Sequence, residues 1–123
     1  MKTILLIDDD LDFLKSARAL FAEKAPYQLL TAESGVDGVN KARASRPILI
    51  LLDINMQGLS GMDVKELLKN DNTTRDIPIV YFSAIVPQGN RYDPGRDQMF
   101  PKADWEENFE ELLGIIARLT KLE

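Results

Sequence analysis

Several side chains that can take part in phosphoryl transfer stand at the ends of short apolar runs in this chain. They are Asp8, Asp9, Asp53, Ser83 and Lys102. A carboxylate can attack phosphorus and form an aspartyl phosphate. Such a transfer depends on positioning and on neutralisation of the phosphoryl oxygens, which a lysine ammonium and a hydroxyl donor can assist. If the fold brings these run ends together, they form a phosphoryl-transfer site centred on Asp53.

The composition narrows the chemistry of this site. The 123 residues include no histidine and no cysteine, and the net charge is −5. Imidazole acid–base catalysis, the usual zinc sites and haem ligation are therefore excluded, and a metal would be held by oxygen, as Mg²⁺, Ca²⁺ or Mn²⁺ is. The negative charge argues against direct nucleic-acid binding by this domain.

The sequence contains neither a membrane span nor a cysteine, and these two features predict the cellular location of the protein. No apolar run approaches the roughly 20 residues of a membrane span, so no membrane association is expected. The absence of cysteine fits a reducing compartment, and we expect a cytoplasmic protein.

The hydrophobic pattern alternates between strands and helices. Strands are predicted at Thr3–Ile7, Tyr27–Ala32, Ile48–Asp53, Ile77–Ala84 and Met99–Phe100. Helices are predicted at Leu11–Ala25, from about Ser34 to Ser45, at Met62–Asn70, and along an apolar stripe from Trp105 to Leu119. Alternation with short connections is typical of βαβ units around a parallel sheet. At this length, residues 1–123 are expected to form a single domain.

The segment Ile85–Gln98 departs from this alternation. A helix belongs there, but the segment holds two prolines and two glycines and has no apolar period. It is therefore predicted to be mostly irregular, with at most a short helical turn.

The predicted sheet would gather the candidate site residues at one edge. Ligands of open parallel sheets bind beyond the carboxyl ends of the strands, where Asp8, Asp9 and Asp53 would lie. Carboxylates brought together repel, so we predict a bound Mg²⁺, with Lys102 as a second positive charge. Asp10, the third acid of the run, is interpreted as a helix N-terminal residue instead.

These motifs together resemble the response-regulator receiver domain of bacterial two-component signalling, over essentially the whole chain. The matching segments are the acidic pair in "IDDD", the acid in "LLDINMQGLSG", Ser83 followed by Ala84, and the lysine in "FPKAD". The resemblance implies a doubly wound, flavodoxin-like fold with five parallel strands in the order 2-1-3-4-5. It also implies that Asp53 is the phosphoacceptor, assisted by Ser83 and Lys102.

The resemblance further implies a set of metal ligands and partners. Mg²⁺ would be bound by Asp8, Asp9, Asp53 and the backbone carbonyl of Asn55. A histidine kinase or a histidine phosphotransfer protein would supply the phosphoryl group, and an effector domain or a downstream protein would receive the signal. Such a domain is not an enzyme, beyond its own phosphorylation and dephosphorylation.

Four features depart from the family pattern. Gln57 replaces the usual proline after the third strand, which we expect to alter the rigidity of the turn. Ala103 replaces the proline that usually follows the lysine, so a cis peptide bond is not expected there. Met99 occupies the place of the aromatic switch residue. The short Ile85–Gln98 segment predicts an atypical or missing fourth helix.

Two alternative functions are compatible with the same residues. One is a pseudo-receiver, an interaction module with this fold that is never phosphorylated; the altered switch region favours it. The other is a phosphatase of the haloacid-dehalogenase type, which also uses an aspartate nucleophile. That class needs a second acid two residues after the nucleophile, and Asn55 stands there instead.

Overall fold

Five strands form one parallel sheet in the computed structural model, which describes residues 1–83 and 98–120, with only the backbone of Ser83. The strands are β1 (Lys2–Ile7), β2 (Tyr27–Ala32), β3 (Leu49–Asp53), β4 (Ile79–Ser83) and β5 (Gln98–Pro101). They are ordered β2-β1-β3-β4-β5, and every neighbouring pair is parallel. The predicted fold class and strand order are confirmed.

Four helices lie in the described residues. They are α1 (Leu11–Lys24), α2 (Gly35–Ser45), α3 (Gly61–Lys69) and α4 (Phe109–Leu119). The last helix was predicted from Trp105 but begins at Phe109, because residues 103–108 form turns and Asp104 has a left-handed φ of 60°. Trp105 is nevertheless only 6% exposed. The apolar side chain of Trp105 therefore indicates that this position is buried, and not that it is helical.

Side chains of the central strands alternate between two separate hydrophobic cores. In β1, Ile4 and Leu6 lie in a core completed by α1 and α4, whereas Leu5 and Ile7 lie in a core completed by α2 and α3. Successive residues of a strand point to opposite faces, so helices on both faces explain why β1 and β3 are apolar throughout. The predicted doubly wound arrangement is confirmed.

Side-chain caps stand at the N-termini of three of the described helices. Asp10 Oδ1 accepts hydrogen bonds from the backbone N–H groups of Asp12 and Phe13 at the start of α1. Ser34 caps α2, and Ser60 forms a capping box with Asp63 at the start of α3. These caps satisfy backbone N–H groups that the first helical turn leaves without a partner. The interpretation of Asp10 as a helix N-terminal residue is confirmed.

The segment between β4 and β5 bears on the predicted missing helix. The structure does not describe residues 84–97. Ala84, which was predicted to end the fourth strand, lies among them. So does all of the predicted irregular segment Ile85–Gln98 except its last residue. Gln98 is not in a loop: it begins β5 and is only 3% exposed.

Two further findings concern the described ranges as a whole. No peptide bond within 1–83 or 98–120 is cis, and that includes the bond between Lys102 and Ala103. None of the helices in these ranges is long and apolar enough to cross a membrane.

Candidate functional site

Asp53 lies at the carboxyl end of the central strand β3. Its side chain is only 6% exposed, and its Oδ1 accepts a hydrogen bond of 3.1 Å from the Asn55 backbone N–H. The chain then folds back tightly, since the Gly61 N–H donates to the Ile54 carbonyl at 3.0 Å. A Cβ at Gly61 would stand 2.7 Å from the Asp53 carbonyl oxygen, so glycine permits this close approach.

The structure brings the two predicted acids after β1 against Asp53. Asp8 is fully buried, and its Oδ1 accepts a hydrogen bond of 2.9 Å from the Asp10 backbone N–H. Asp9 is exposed, and its Oδ2 accepts a hydrogen bond of 3.0 Å from the Gln57 backbone N–H. Carboxylate oxygens of Asp8, Asp9 and Asp53 all lie within 4.8 Å of one another. We refer to these three residues as the acidic cluster.

Lys102 joins the two buried acids of the cluster. It follows β5 directly, and its Nζ lies 2.8 Å from Asp8 Oδ2 and 3.5 Å from Asp53 Oδ2. The ammonium also lies 4.6 Å from the centroid of the Phe13 ring, in a cation–π contact. Lys102 is therefore placed by two carboxylates and one aromatic face.

Burial and the neighbouring charges of opposite sign shift the pKa values in opposite directions, for Asp8 as for Lys102. Burial raises the pKa of Asp8 to about 6, and the hydrogen bond from Lys102 works against this rise. For Lys102, burial alone would lower the pKa, but Asp8 and Asp53 raise it above its usual value. Within residues 1–83 and 98–120, Lys102 pairs with two of the three clustered carboxylates, and a cation could neutralise the remaining negative charge.

The remaining predicted residues lie at the same edge. Ser83 is the last residue of β4 and pairs with Pro101 of β5. It follows Phe82, which pairs with Asp53 of β3. Asn55 is exposed and contacts Asp53 through its backbone N–H. The role of its carbonyl as a metal ligand stays a prediction.

Two contacts of the site were missed at the sequence level. Phe13 lies under Lys102, and the Gln57 N–H reaches Asp9. Gln57 stands where the family usually has proline, and proline has no N–H to donate. Nothing in the spacing of Phe13 along α1 distinguishes it from a core residue, so its contact with Lys102 had no sequence signal.

Comparisons with known proteins show the family to which the chain belongs. The family "Response regulator receiver domain" matches residues 4–91. The polar-differentiation response regulator DivK of Brucella anthropi is 32% identical over 89 residues, which are 72% of this chain and 72% of DivK.

Solved structures show the same fold. The response regulator TrrA of Thermotoga maritima, solved with Mg²⁺ and a beryllium fluoride, superposes with a TM-score of 0.77 at 28% identity, covering 97% of this chain and 99% of TrrA. The receiver domain of the sensor histidine kinase PA1611 of Pseudomonas aeruginosa gives a TM-score of 0.82 at 22% identity, covering 98% of both chains. The protein therefore belongs to the response regulator receiver domain family of two-component signalling.

Proposed function

We propose that this chain acts in a phosphorelay as a single receiver domain that accepts a phosphoryl group on Asp53. The observation that carries the proposal is the acidic cluster with Lys102 beside it, because the carboxylates of Asp8, Asp9 and Asp53 converge within 4.8 Å. A histidine kinase or a histidine phosphotransfer protein would be the donor. The signal would pass to an effector domain or a downstream protein.

The donor atoms of the cluster suit a hard divalent cation. All are oxygens, and two of the three carboxylates are buried with one lysine between them. Mg²⁺ prefers oxygen ligands and is usually bound through one or two carboxylates and phosphate oxygens. The cluster would hold it through Asp8, Asp9 and Asp53, together with the Asn55 carbonyl. When bound, Mg²⁺ would neutralise the phosphoryl oxygens during transfer. The Mg²⁺ bound to the relative TrrA supports this assignment.

Each residue of the site would have a separate task. An Asp53 carboxylate oxygen would attack phosphorus, and the phosphorus–nitrogen bond of the donor phosphohistidine would break as the new oxygen–phosphorus bond forms. The Lys102 ammonium, already 3.5 Å from Asp53 Oδ2, would pair with a phosphoryl oxygen. The Ser83 hydroxyl would donate a hydrogen bond to another phosphoryl oxygen.

Phosphorylation by a small donor tests the proposal directly. With Mg²⁺ and acetyl phosphate, intact mass spectrometry should show the addition of one phosphoryl group to the parent protein. Asp53→Asn should show none, because the amide is not a nucleophile for phosphorus. Asp63→Asn is the matched control: this exposed acid belongs to the capping box of α3, and its variant should still be phosphorylated.

Two outcomes would contradict the proposal. An adduct that persists in Asp53→Asn would place the modification on another residue. A parent protein that gains no phosphoryl group and shows no Mg²⁺ binding would favour the pseudo-receiver alternative.

A further inference from the structure

Asp9 differs from the other members of the acidic cluster in being exposed. Asp8 and Asp53 are both buried, so packing limits the rotamers of both. An exposed aspartate has no such restriction, and ordering it around a metal costs conformational entropy. In this chain the Asp9 side chain is instead tethered, because its Oδ2 accepts the Gln57 N–H at 3.0 Å.

The loop that presents the Gln57 N–H is itself well anchored. Ile54, Met56 and Leu59 pack against the hydrophobic core that α2 and α3 cover. Gly58, directly after Gln57, has a φ of 75°, a left-handed conformation that glycine adopts without strain. The hydrogen bond between Gly61 and Ile54 closes the loop. The donor therefore comes from a segment that is held on both sides.

We propose that the backbone N–H of Gln57 is a positioning group for Asp9, holding this exposed carboxylate beside the buried pair and so strengthening divalent-cation binding. The inference rests on the proposed function, in which the cluster binds Mg²⁺. A carboxylate offers about four acceptor sites, so Asp9 can keep this hydrogen bond and still ligate a metal. Partners that orient a metal ligand in this way are typically worth about 10- to 100-fold in metal affinity.

The proposal assigns the effect to the backbone of residue 57 and not to its side chain. Any residue with an N–H could supply the bond, and proline could not. Gln57 is thus a departure from the family pattern that adds a contact to the candidate metal site.

Mg²⁺ titrations of two variants separate the N–H from the side chain. Gln57→Pro removes the donor, whereas Gln57→Ala keeps it and serves as the matched control. With MgCl₂ as the only ligand, isothermal titration calorimetry should show binding weaker by about tenfold for Gln57→Pro. Gln57→Ala should stay within about twofold of the parent, since its N–H is intact. Equal affinities for Gln57→Pro and Gln57→Ala would overturn the proposal.

A second measurement avoids the backbone restriction that proline imposes. In the metal-free protein, NMR-detected hydrogen exchange of the Gln57 amide should be faster in Asp9→Ala than in the parent, because the acceptor is lost. Asp76→Ala, which removes an exposed acid between α3 and β4, should leave this amide unchanged. An exchange rate that does not respond to Asp9→Ala would also overturn the proposal.

The two proposals fail in different ways. If the parent and Gln57→Ala bind Mg²⁺ and Gln57→Pro binds it equally well, only the role of the Gln57 N–H is rejected. If the parent itself does not bind Mg²⁺, the metal dependence of the proposed function is rejected and the positioning role with it.

Discussion

Asp53 is a buried acid at the end of an apolar strand, and its partners explain how the fold tolerates it. The Asn55 N–H donates to its Oδ1, and the Lys102 ammonium lies 3.5 Å from its Oδ2. Lys102 also pairs with Asp8, and burial raises the pKa of Asp8 to about 6. Among the residues that the structure describes, one ammonium thus pairs with two buried carboxylates, an arrangement that a bound cation would further neutralise.

Replacing Asp9 by alanine should separate metal binding from folding stability. We expect Asp9→Ala to weaken Mg²⁺ binding sharply, because it removes a candidate ligand carboxylate. The same change removes one of three mutually repelling charges, so the metal-free variant should be at least as stable as the metal-free parent. Urea unfolding with and without Mg²⁺ measures both effects through the free energy of unfolding.

Asp76→Ala is the charge-matched control for this prediction. It removes an exposed acid outside the cluster and should leave the Mg²⁺-dependent stabilisation intact. If Mg²⁺ stabilises Asp9→Ala as strongly as the parent, Asp9 is not a ligand.

At the scale of elements, an ion pair links α2 to the turn that follows α3. Arg43, in the last turn of α2, donates from its Nε to Asp71 Oδ2. The other Asp71 oxygen accepts hydrogen bonds from the Thr73 hydroxyl at 2.7 Å and from the Thr73 N–H at 2.8 Å. These contacts hold the carboxyl end of α3 against α2, the neighbouring helix on the same face of the sheet.

The Asp71 contacts should make part of the stability depend on pH. The Thr73 hydroxyl first, then the Thr73 N–H and Arg43, lower the pKa of Asp71 from 3.8 to about 2. At pH values between these two pKa values, the unfolded chain binds more protons than the folded protein. The contribution of ionised Asp71 to the free energy of unfolding is therefore present above about pH 4 and lost towards pH 2. We expect Asp71→Asn to be less stable than the parent near neutral pH, with the difference shrinking as the pH falls.

Urea unfolding of both proteins at a series of pH values measures this difference. Asp76→Asn is the control, and its curve should run parallel to that of the parent. A destabilisation by Asp71→Asn that stays constant from neutral pH to pH 2 would show that the ionised carboxylate is not its source.

At the scale of the whole molecule, helices cover both faces of the sheet. Leu5 and Leu6 are neighbours in β1, and they are 0% and 1% exposed in the two different cores. A sheet with one open face would leave one of the pair in solvent. The burial of both is what distinguishes this doubly wound architecture from an antiparallel sheet with a solvated face.

Alanine substitutions of this pair test the two-sided burial. Leu5→Ala and Leu6→Ala should each lower the free energy of unfolding by about 2–5 kcal/mol, because each removes a fully buried leucine side chain. Leu67→Ala is the control: this leucine of α3 is 42% exposed, and its loss should change stability by about 0.5 kcal/mol or less. Urea unfolding gives all three values, and a near-neutral Leu5→Ala or Leu6→Ala would contradict helical cover on that face.

Local features of the sequence determined the elements and the candidate acids. The apolar run before Asp53 and the alternation of strands with helices indicated a parallel sheet, since a strand buried on both faces is apolar throughout. Tyr27–Ala32 was predicted with the bounds that β2 has. Boundaries set by tertiary contacts were predicted less well, and α4 begins four residues later than its apolar stripe because Trp105 packs from a turn.

Only the tertiary structure decided which groups touch one another at the site. Asp9 and Gln57 are 48 residues apart in sequence, and Lys102 reaches both Asp8 and the Phe13 ring from beyond β5. Local patterns report burial and periodicity along one segment. They do not report the register between strands or the path of a loop, and these place side chains within hydrogen-bonding distance. The sequence by itself thus determined which strand ends carry the candidate acids and the lysine, and the packed fold decided which groups contact them there.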